Sequence, residues 1–338
     1  MKNKSTLLLI VAVLVLAVIA YFVTIQDSEQ GGTKPMSDFA IENTDKINKI
    51  IITESNRNKA ELELVDGEWM LNNEFKARPS NVDLLLKTFR NIKVQTAVSK
   101  DMKKTVVANM ASRYKKVEIF IDGKLEKTYF VGSATSDHYG TYMLLEKDGV
   151  KSSEPYVMHI PGFNGFLESR FYTNENDWKY SGVFVYDPLD IKSIKVKNYL
   201  NPDESYIVKQ EDKKVSLSTL DGNKIEGVNN ALAENYVLIY EKIFFNKIVE
   251  FSDKKVDSVK AITPIYTIEV NDVNGKTKKV NFVYKKKDNI ELDDVTGEPI
   301  LYDENYIFGY YPESNEILLF QYYSLGNILA GKSYFLSN

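Results

Sequence analysis

The sequence predicts an α+β, strand-rich fold. Two tandem, divergent units of β-β-β-α-β-β type are expected, their helices packed on antiparallel sheets, with one transmembrane helix before them. Three observations carry this. Alternating apolar and polar runs are joined by Asp-Gly or Asn-Gly turns, the signature of hairpins. Two segments carry an apolar stripe at helical spacing. The pattern then recurs once, at an offset of 144–152 residues.

The chain opens "MKNKSTLLLIVAVLVLAVIAYFVTIQD", in which the 17 residues Leu7 to Val23 are uncharged. At ~1.5 Å per residue a helix of that length spans about 26 Å, enough for a thin bilayer. Lys2 and Lys4 precede it, and Asp27 and Glu29 follow. This asymmetry places residues 1–24 as a cytoplasmic stub and single-pass anchor in the inner membrane, with everything after them outside, in the periplasm. A cleaved signal peptide fits less well, because Ala17 and Ala20 are three apart and Tyr21, Phe22 and Val23 follow. Residues 25–36 hold a Gly pair and a Pro and read as a flexible tether. Residues 37–180 and 181–338 are the two units.

In the first unit Ile47, Ile50 and Ile52 begin a strand, and Asn56 to Asn58 form a turn. Ala60, Leu62 and Leu64 alternate with Glu61 and Glu63, and Asp66-Gly67 turns the chain into Trp69 and Leu71. In the second unit Ile191, Ile194 and Val196 match the first strand, with a turn at Asn201-Pro202-Asp203. Ser80 and Asp83 give a capping signal before the stripe Val82, Leu85, Leu86 and Phe89. Leu232, Tyr236, Ile239 and Ile243 are the expected stripe of the second helix. Paired strands follow, with Asp122-Gly123 and Asn274-Gly275 at corresponding turns.

Each unit ends on a corner. "PYVMHIPGFNGFL" aligns with "NYIFGYYPESNEILL", so that Pro161 matches Pro312, Asn164 matches Asn315, and Phe166-Leu167 match Ile317-Leu318. On this alignment Phe166 and Leu167 belong to the core. Gly162, Phe163 and Gly165 replace Glu313, Ser314 and Glu316, which marks Phe163 as an aromatic tip between two glycines, either an exposed contact for a partner or a ring folded back onto its own domain.

From "HIPGFNGFLESRF" and "NENDWKY", together with "KAELELVDGEWMLN", "ARPSNVDLLLKTFRNIKVQTAVSK" and "KKVEIFIDGKLEKTYFVGSATSDHYGTYMLLE", the first unit resembles the family catalogued as domain of unknown function 4340, over residues 39–178. That family consists of membrane-anchored extracytoplasmic proteins. Similar domains occur in auxiliary subunits of gliding-motility-type ABC transporters. The resemblance implies a location and a transporter setting, and no catalytic residues.

Composition excludes several chemistries. With 43 basic and 47 acidic residues the chain has no footprint for nucleic acid. Two histidines and no cysteine leave too few ligands for zinc, and no cofactor is expected. Ser133, Ser136, Asp137 and His138 sit together in sequence, but adjacency does not make a triad, and the segment reads as a polar loop. "NENDW" and "ELDDVTGEP" lack the ligand alternation of a calcium loop and read as acidic turns. His159 lies on a strand, and Tyr310-Tyr311 and Tyr322-Tyr323 suit half-buried places beside neighbouring strands, with a sticky interaction surface as the alternative. The candidate interaction residues are therefore Phe163, Gly162, Gly165, His159, Tyr310 and Tyr311. The expected function is a non-enzymatic scaffold or accessory protein that binds a protein partner in the cell envelope, such as an ABC transporter. The rivals are a lipid- or glycan-binding module and a carboxylate-dependent envelope hydrolase.

Overall fold

The computed structural model describes residues 36–336 apart from 55–57, 212–213 and 294. The expected anchor, most of the tether and most of the 56–58 turn lie outside the described residues. Among the described residues no helix is long and apolar enough to cross a membrane. The chain divides into two compact units, the first ending at Tyr180 and the second starting at Ser181.

The first unit runs β1 (Ile47–Glu54), β2 (Lys59–Val65), β3 (Glu68–Leu71), β4 (Phe75–Lys76), α1 (Pro79–Asn91), β5 (Lys93–Ala97) and α2 (Lys100–Ser112). It continues with β6 (Lys115–Ile121), β7 (Lys124–Ala134), β8 (Thr141–Lys147), β9 (Val150–Lys151), β10 (Tyr156–His159) and α3 (Glu175–Trp178). The strands form a 10-stranded sheet in the order β4-β3-β2-β1-β6-β7-β8-β10-β5, with β9 added to β8. All its neighbours are antiparallel. The tight turns are built as their residues require. Asp66 and Gly67 have φ of 51° and 82°, and Asp122 and Gly123 have 49° and 76°. Positive φ at both central residues is what a two-residue hairpin needs, and Gly and Asp tolerate it.

Helix α1 buries Val82, Leu85 and Phe89, with Leu86 half-buried, so the expected stripe faces the sheet. The capping signal is displaced. Arg78 is the N-cap, its side chain donating to the Lys179 carbonyl rather than capping the helix, and Pro79 opens the helix, leaving Ser80 inside it. Proline has no N–H to satisfy and its φ suits the first helical position, so it sets the start. Helix α2 covers the other face. Met143 and Leu145 join the main core with α1, while Leu144 packs with Val106 and Met110 of α2. Successive strand residues point to opposite faces, so the two helices lie on opposite sides. Neither α2 nor the short polar strand β5 was expected from the sequence.

The second unit runs β11 (Gly182–Phe184), β12 (Ile191–Asn198), β13 (Tyr206–Glu211), β14 (Lys214–Ser218), α4 (Asn230–Ile239), β15 (Ile243–Phe244), β16 (Lys247–Val249) and α5 (Asp253–Lys260). Then come β17 (Tyr266–Asp272), β18 (Thr277–Leu292), β19 (Pro299–Tyr310), β20 (Ile317–Gln321) and α6 (Tyr322–Leu325). An 8-stranded sheet has the order β14-β13-β12-β17-β18-β19-β20-β16, and β11 pairs with β15 apart from it. The stripe of α4 is one residue off the expected one. Ala233, Tyr236 and Val237 are buried, followed by Tyr240, whereas Ile243 lies in β15. Aromatic packing sets this rotation. Tyr236 meets Tyr206, Tyr240 and Phe335 edge-on, and its hydroxyl lies 2.8 Å from that of Tyr240. Burial holds all three tyrosine hydroxyls well above their usual pKa.

Several ties recur in each unit. The Arg78 N–H donates to the Trp178 carbonyl at 2.6 Å, and the Asn229 N–H to the Phe335 carbonyl at 2.8 Å. Arg78 and Asn229 are the N-caps of α1 and α4. The Ile41 N–H donates to Phe89 at 2.9 Å, and the Tyr186 N–H to Tyr240 at 3.2 Å. The Lys127 ammonium donates to the Asp38 and Ala40 carbonyls at 2.7 Å each. The Lys278 ammonium donates to the Val183 carbonyl at 2.8 Å.

The aligned corners do not occupy equivalent places. Pro161 follows β10, while Pro312 lies in the turn between β19 and β20. Ile317 and Leu318 are strand residues, whereas Leu167 precedes a short 3-10 turn, Glu168–Arg170. Leu167 is fully buried, but Phe166 is only half-buried and rests 5.9 Å from the His138 ring. The expectation that Phe166 is core is therefore corrected. The Pro-x-x-Asn spacing arose at two different turns, because both turn types favour those residues.

Candidate functional site

The 160–171 loop brings Gly162, Phe163 and Gly165 together around Arg170. The Phe163 N–H donates to the Ile160 carbonyl at 3.0 Å, and Gly162 at φ 81° makes that turn possible. Phe163 is 38% exposed, and the Arg170 guanidinium lies 4.2 Å from its ring centroid. The ring also folds over Gly165, where a Cβ would meet it at 2.9 Å. Arg170 in turn donates to Thr88 of α1 at 3.0 Å. Burial lowers the guanidinium pKa. At the tip Phe163 thus packs on Arg170 and over Gly165 while remaining part-exposed. His159 ends β10 half-buried, opposite Lys93 of β5.

The tyrosine pair departs from expectation. Tyr310 is buried in a small cluster with Phe308, Val283 and Val259, and its hydroxyl donates to the Lys260 carbonyl at 3.4 Å. Tyr311 is half-buried against the main core of its unit, and burial pushes its hydroxyl up to about 12. Strand alternation turns one ring to each face of the sheet, and both faces are covered, so the pair forms no sticky surface. Tyr323 is the exposed one of the later pair.

The polar motifs resolve as local structure. The Asp137 carboxylate accepts from the Thr135 hydroxyl at 2.5 Å and the Tyr139 N–H at 3.0 Å, which lowers its pKa. His138 sits at the turn with φ 62°. In "NENDW", Asn174 caps α3 and Trp178 plugs the core. Asp293 closes its turn by accepting from the N–H groups of Val295 and Thr296 at 2.9 and 2.7 Å. Among the described residues no group of three or more His, Asp or Glu stands ready to hold a metal.

Two concavities of the first unit were not anticipated. A polar cleft of about 410 Å³ lies between the end of α2 and the strands, lined by Glu54, Arg113, Tyr114, Lys115, Ser133 and Glu168. Lys115 and Glu168 pair across it at 2.7 Å, and Glu54 accepts from Thr173 at 3.1 Å. An apolar groove of about 300 Å³ adjoins it, lined by Val107, Met110, Ala111, Tyr114, Phe130, Leu144 and Lys151. Gly132 lets α2 approach β7, since a Cβ there would stand 2.8 Å from Met110. Nothing local in the sequence signals either concavity, because each is assembled from residues distant along the chain.

The second unit presents an arm. Pairing of β17 with β18 stops at Phe282, and pairing of β19 with β20 starts at Tyr306. Residues 285–305 therefore pair only within a two-stranded ribbon. At its base Tyr284 stacks on Tyr302 with centroids 4.6 Å apart, and Lys285 pairs with Asp303 at 2.8 Å. Leu292, Val295 and Leu301 near its tip are 62%, 93% and 55% exposed. The long strand runs could have signalled this arm, but their charges read as solvated turns. No protein-family model, no curated protein and no solved structure matches this chain.

Proposed function

We propose that this chain is a membrane-anchored extracytoplasmic scaffold or accessory protein that works by binding proteins. The observation that carries this reading is the arm of the second unit. A two-stranded ribbon is marginally stable alone in water, and exposed aliphatic residues at its end bury usefully only against another surface. The anchor at Leu7–Val23 and the periplasmic placement rest on charge and hydropathy. The setting beside an ABC-type transporter or another envelope complex rests on the resemblance of residues 39–178 to the domain of unknown function 4340 family. We also read the units as divergent copies of one module. The strand orders correspond one for one from β3 and β14 onward, and the N-cap tie and a lysine-to-carbonyl tie recur.

The test is to replace residues 286–302 by a short turn and isolate the full chain from gently solubilised membranes. Loss of a protein that co-purifies with the intact chain, with the melting temperature of the remainder preserved, is the expected result. Unchanged co-purification sinks the reading. A second reading, binding of an anionic envelope lipid, is favoured by the apolar groove with Lys151 at its edge. Lipid extracted from the purified chain, and lost on Val107→Glu, is its signature.

A further inference from the structure

The arm and the groove are complementary. The segment Asp288–Glu298 holds five acidic residues and no basic one. Leu292 stands opposite Pro299, and Leu301 lies two residues further along the same face. The turn held by Asp293 projects Val295 from the end. The tip is therefore apolar, flanked by Glu291, Asp293 and Glu298, of which Glu291 is paired with Lys287.

The groove offers the reverse. Its floor is Val107, Met110, Phe130 and Leu144. Lys151 stands at its edge with the ammonium 3.7 Å from the Phe130 centroid. Lys104 is exposed on α2, one turn before Val107, and Arg113 is exposed at the far end. The nearby acids are Glu154, tied to Lys103 at 3.1 Å, Glu146, which faces Lys151 across β8 and β9, and, beside Arg113 in the adjoining cleft, Glu168, tied to Lys115 at 2.7 Å, and Glu54, which accepts from Thr173. The basic groups outnumber them. The matching face of the second unit is filled instead by Phe251, Phe308, Tyr310 and Leu319 against Val256 and Val259 of α5.

We infer that a second copy of this chain is the arm's partner, the tip of one copy seating in the first-unit groove of the next. The inference rests on the reading that the arm binds protein, and it names that protein. Charge complementarity selects this occupant over an anionic bilayer, which repels an acidic tip. The contact is heterologous, so each copy keeps a free arm or a free groove and assembly proceeds head to tail. The buried area is small, so the affinity is low and the shared membrane supplies the concentration.

The chain has no cysteine, which makes cross-linking selective. Two differently tagged full-length chains, one carrying Val295→Cys and one Ala111→Cys, are co-expressed in membranes and mildly oxidised. The expected product is a mixed disulfide dimer formed ~10-fold faster than from Val295→Cys paired with the exposed control Tyr323→Cys. Adding Lys104→Glu and Lys151→Glu to the groove copy is expected to bring the rate down to that of the control. A rate equal to the control from the start, or one indifferent to charge reversal, overturns the inference. In a third chain carrying both Val295→Cys and Ala111→Cys, cross-linking only within the chain and never between chains also overturns it. If these fail while shortening the arm still removes a different co-purifying protein, the self-assembly inference is wrong and the protein-binding reading stands. If the purified groove yields bound lipid and no cross-link forms, the inference falls in favour of the lipid.

Discussion

Replacing Lys127 by Met isolates the tie that holds the entering chain onto the first unit. The ammonium is buried and donates to the Asp38 and Ala40 carbonyls at 2.7 Å each, with the Asp38 carboxylate at 3.2 Å. Between those carbonyls Phe39 is buried, and its own carbonyl accepts from the Tyr129 hydroxyl. Methionine keeps the apolar stem but removes both donors. A hydrogen bond to a charged group contributes ~1.5–3 kcal/mol, so two buried bonds with partial relaxation set the loss at about 2–4 kcal/mol. Hydrogen exchange followed by mass spectrometry on the peptide spanning residues 36–42 reads this directly. At 1.4 kcal/mol per factor of ten, its amides should exchange about 30- to 700-fold faster, if they open locally. Lys278→Met removes one bond from a half-buried side chain, and about 1–2 kcal/mol is expected at residues 182–186. Burial lowers the Lys278 pKa, so part of its bond energy already offsets desolvation. Unchanged exchange at residues 36–42 in Lys127→Met would refute the argument that these bonds hold the segment.

Other perturbations test other links. Leu167→Ala removes a fully buried side chain and should cost about 2–5 kcal/mol, whereas Phe163→Ala, half-exposed, should cost about 1 kcal/mol or less through its lost contact with Arg170. Thermal melts decide this, and equal losses would show that the tip is structural throughout. Gly309→Ala places a Cβ 2.6 Å from the Phe320 ring and should destabilise the second unit by roughly 1–3 kcal/mol. The Glu61 carboxyl is held below its ordinary 4.5 by hydrogen bonds from Lys49 and Lys59. Its folded pKa is depressed, so its stabilisation is complete above pH 4.5 and disappears as pH falls through the lower folded value. The melting difference between the native chain and Glu61→Gln should shrink over that interval; a constant difference contradicts the assignment.

The legible parts of the fold were those written in local chemistry. Asp66-Gly67 and Asp122-Gly123 announce their hairpins because few other pairs accept two positive φ values. The α1 stripe is legible because Val82, Leu85 and Phe89 are plainly apolar. The α4 stripe was misplaced because Tyr236 and Tyr240 satisfy their hydroxyls inside the core, which residue type alone does not disclose. Tyr310 misled for the same reason, its hydroxyl reaching the Lys260 carbonyl. Of the 160–171 loop, the part-exposed place of Phe163 was legible from its flanking glycines, whereas the core place expected for Phe166 was not borne out. What the loop's sequence concealed is the Arg170 guanidinium, seven residues on from Phe163, packed against that ring. Neither concavity was legible, since helix α2 had to be placed over β7 and β8 first.

Photo-cross-linking from Val295 captures whatever the arm binds. A photoreactive amino acid at this position, in the full chain in living cells, samples whatever meets the end of the arm. Discrete protein adducts are expected from Val295, and none from the same probe at Tyr199, which is only part-exposed on the body of the same unit. A folded chain that yields no protein adduct at Val295, or only lipid adducts, would contradict the claim that the arm binds protein.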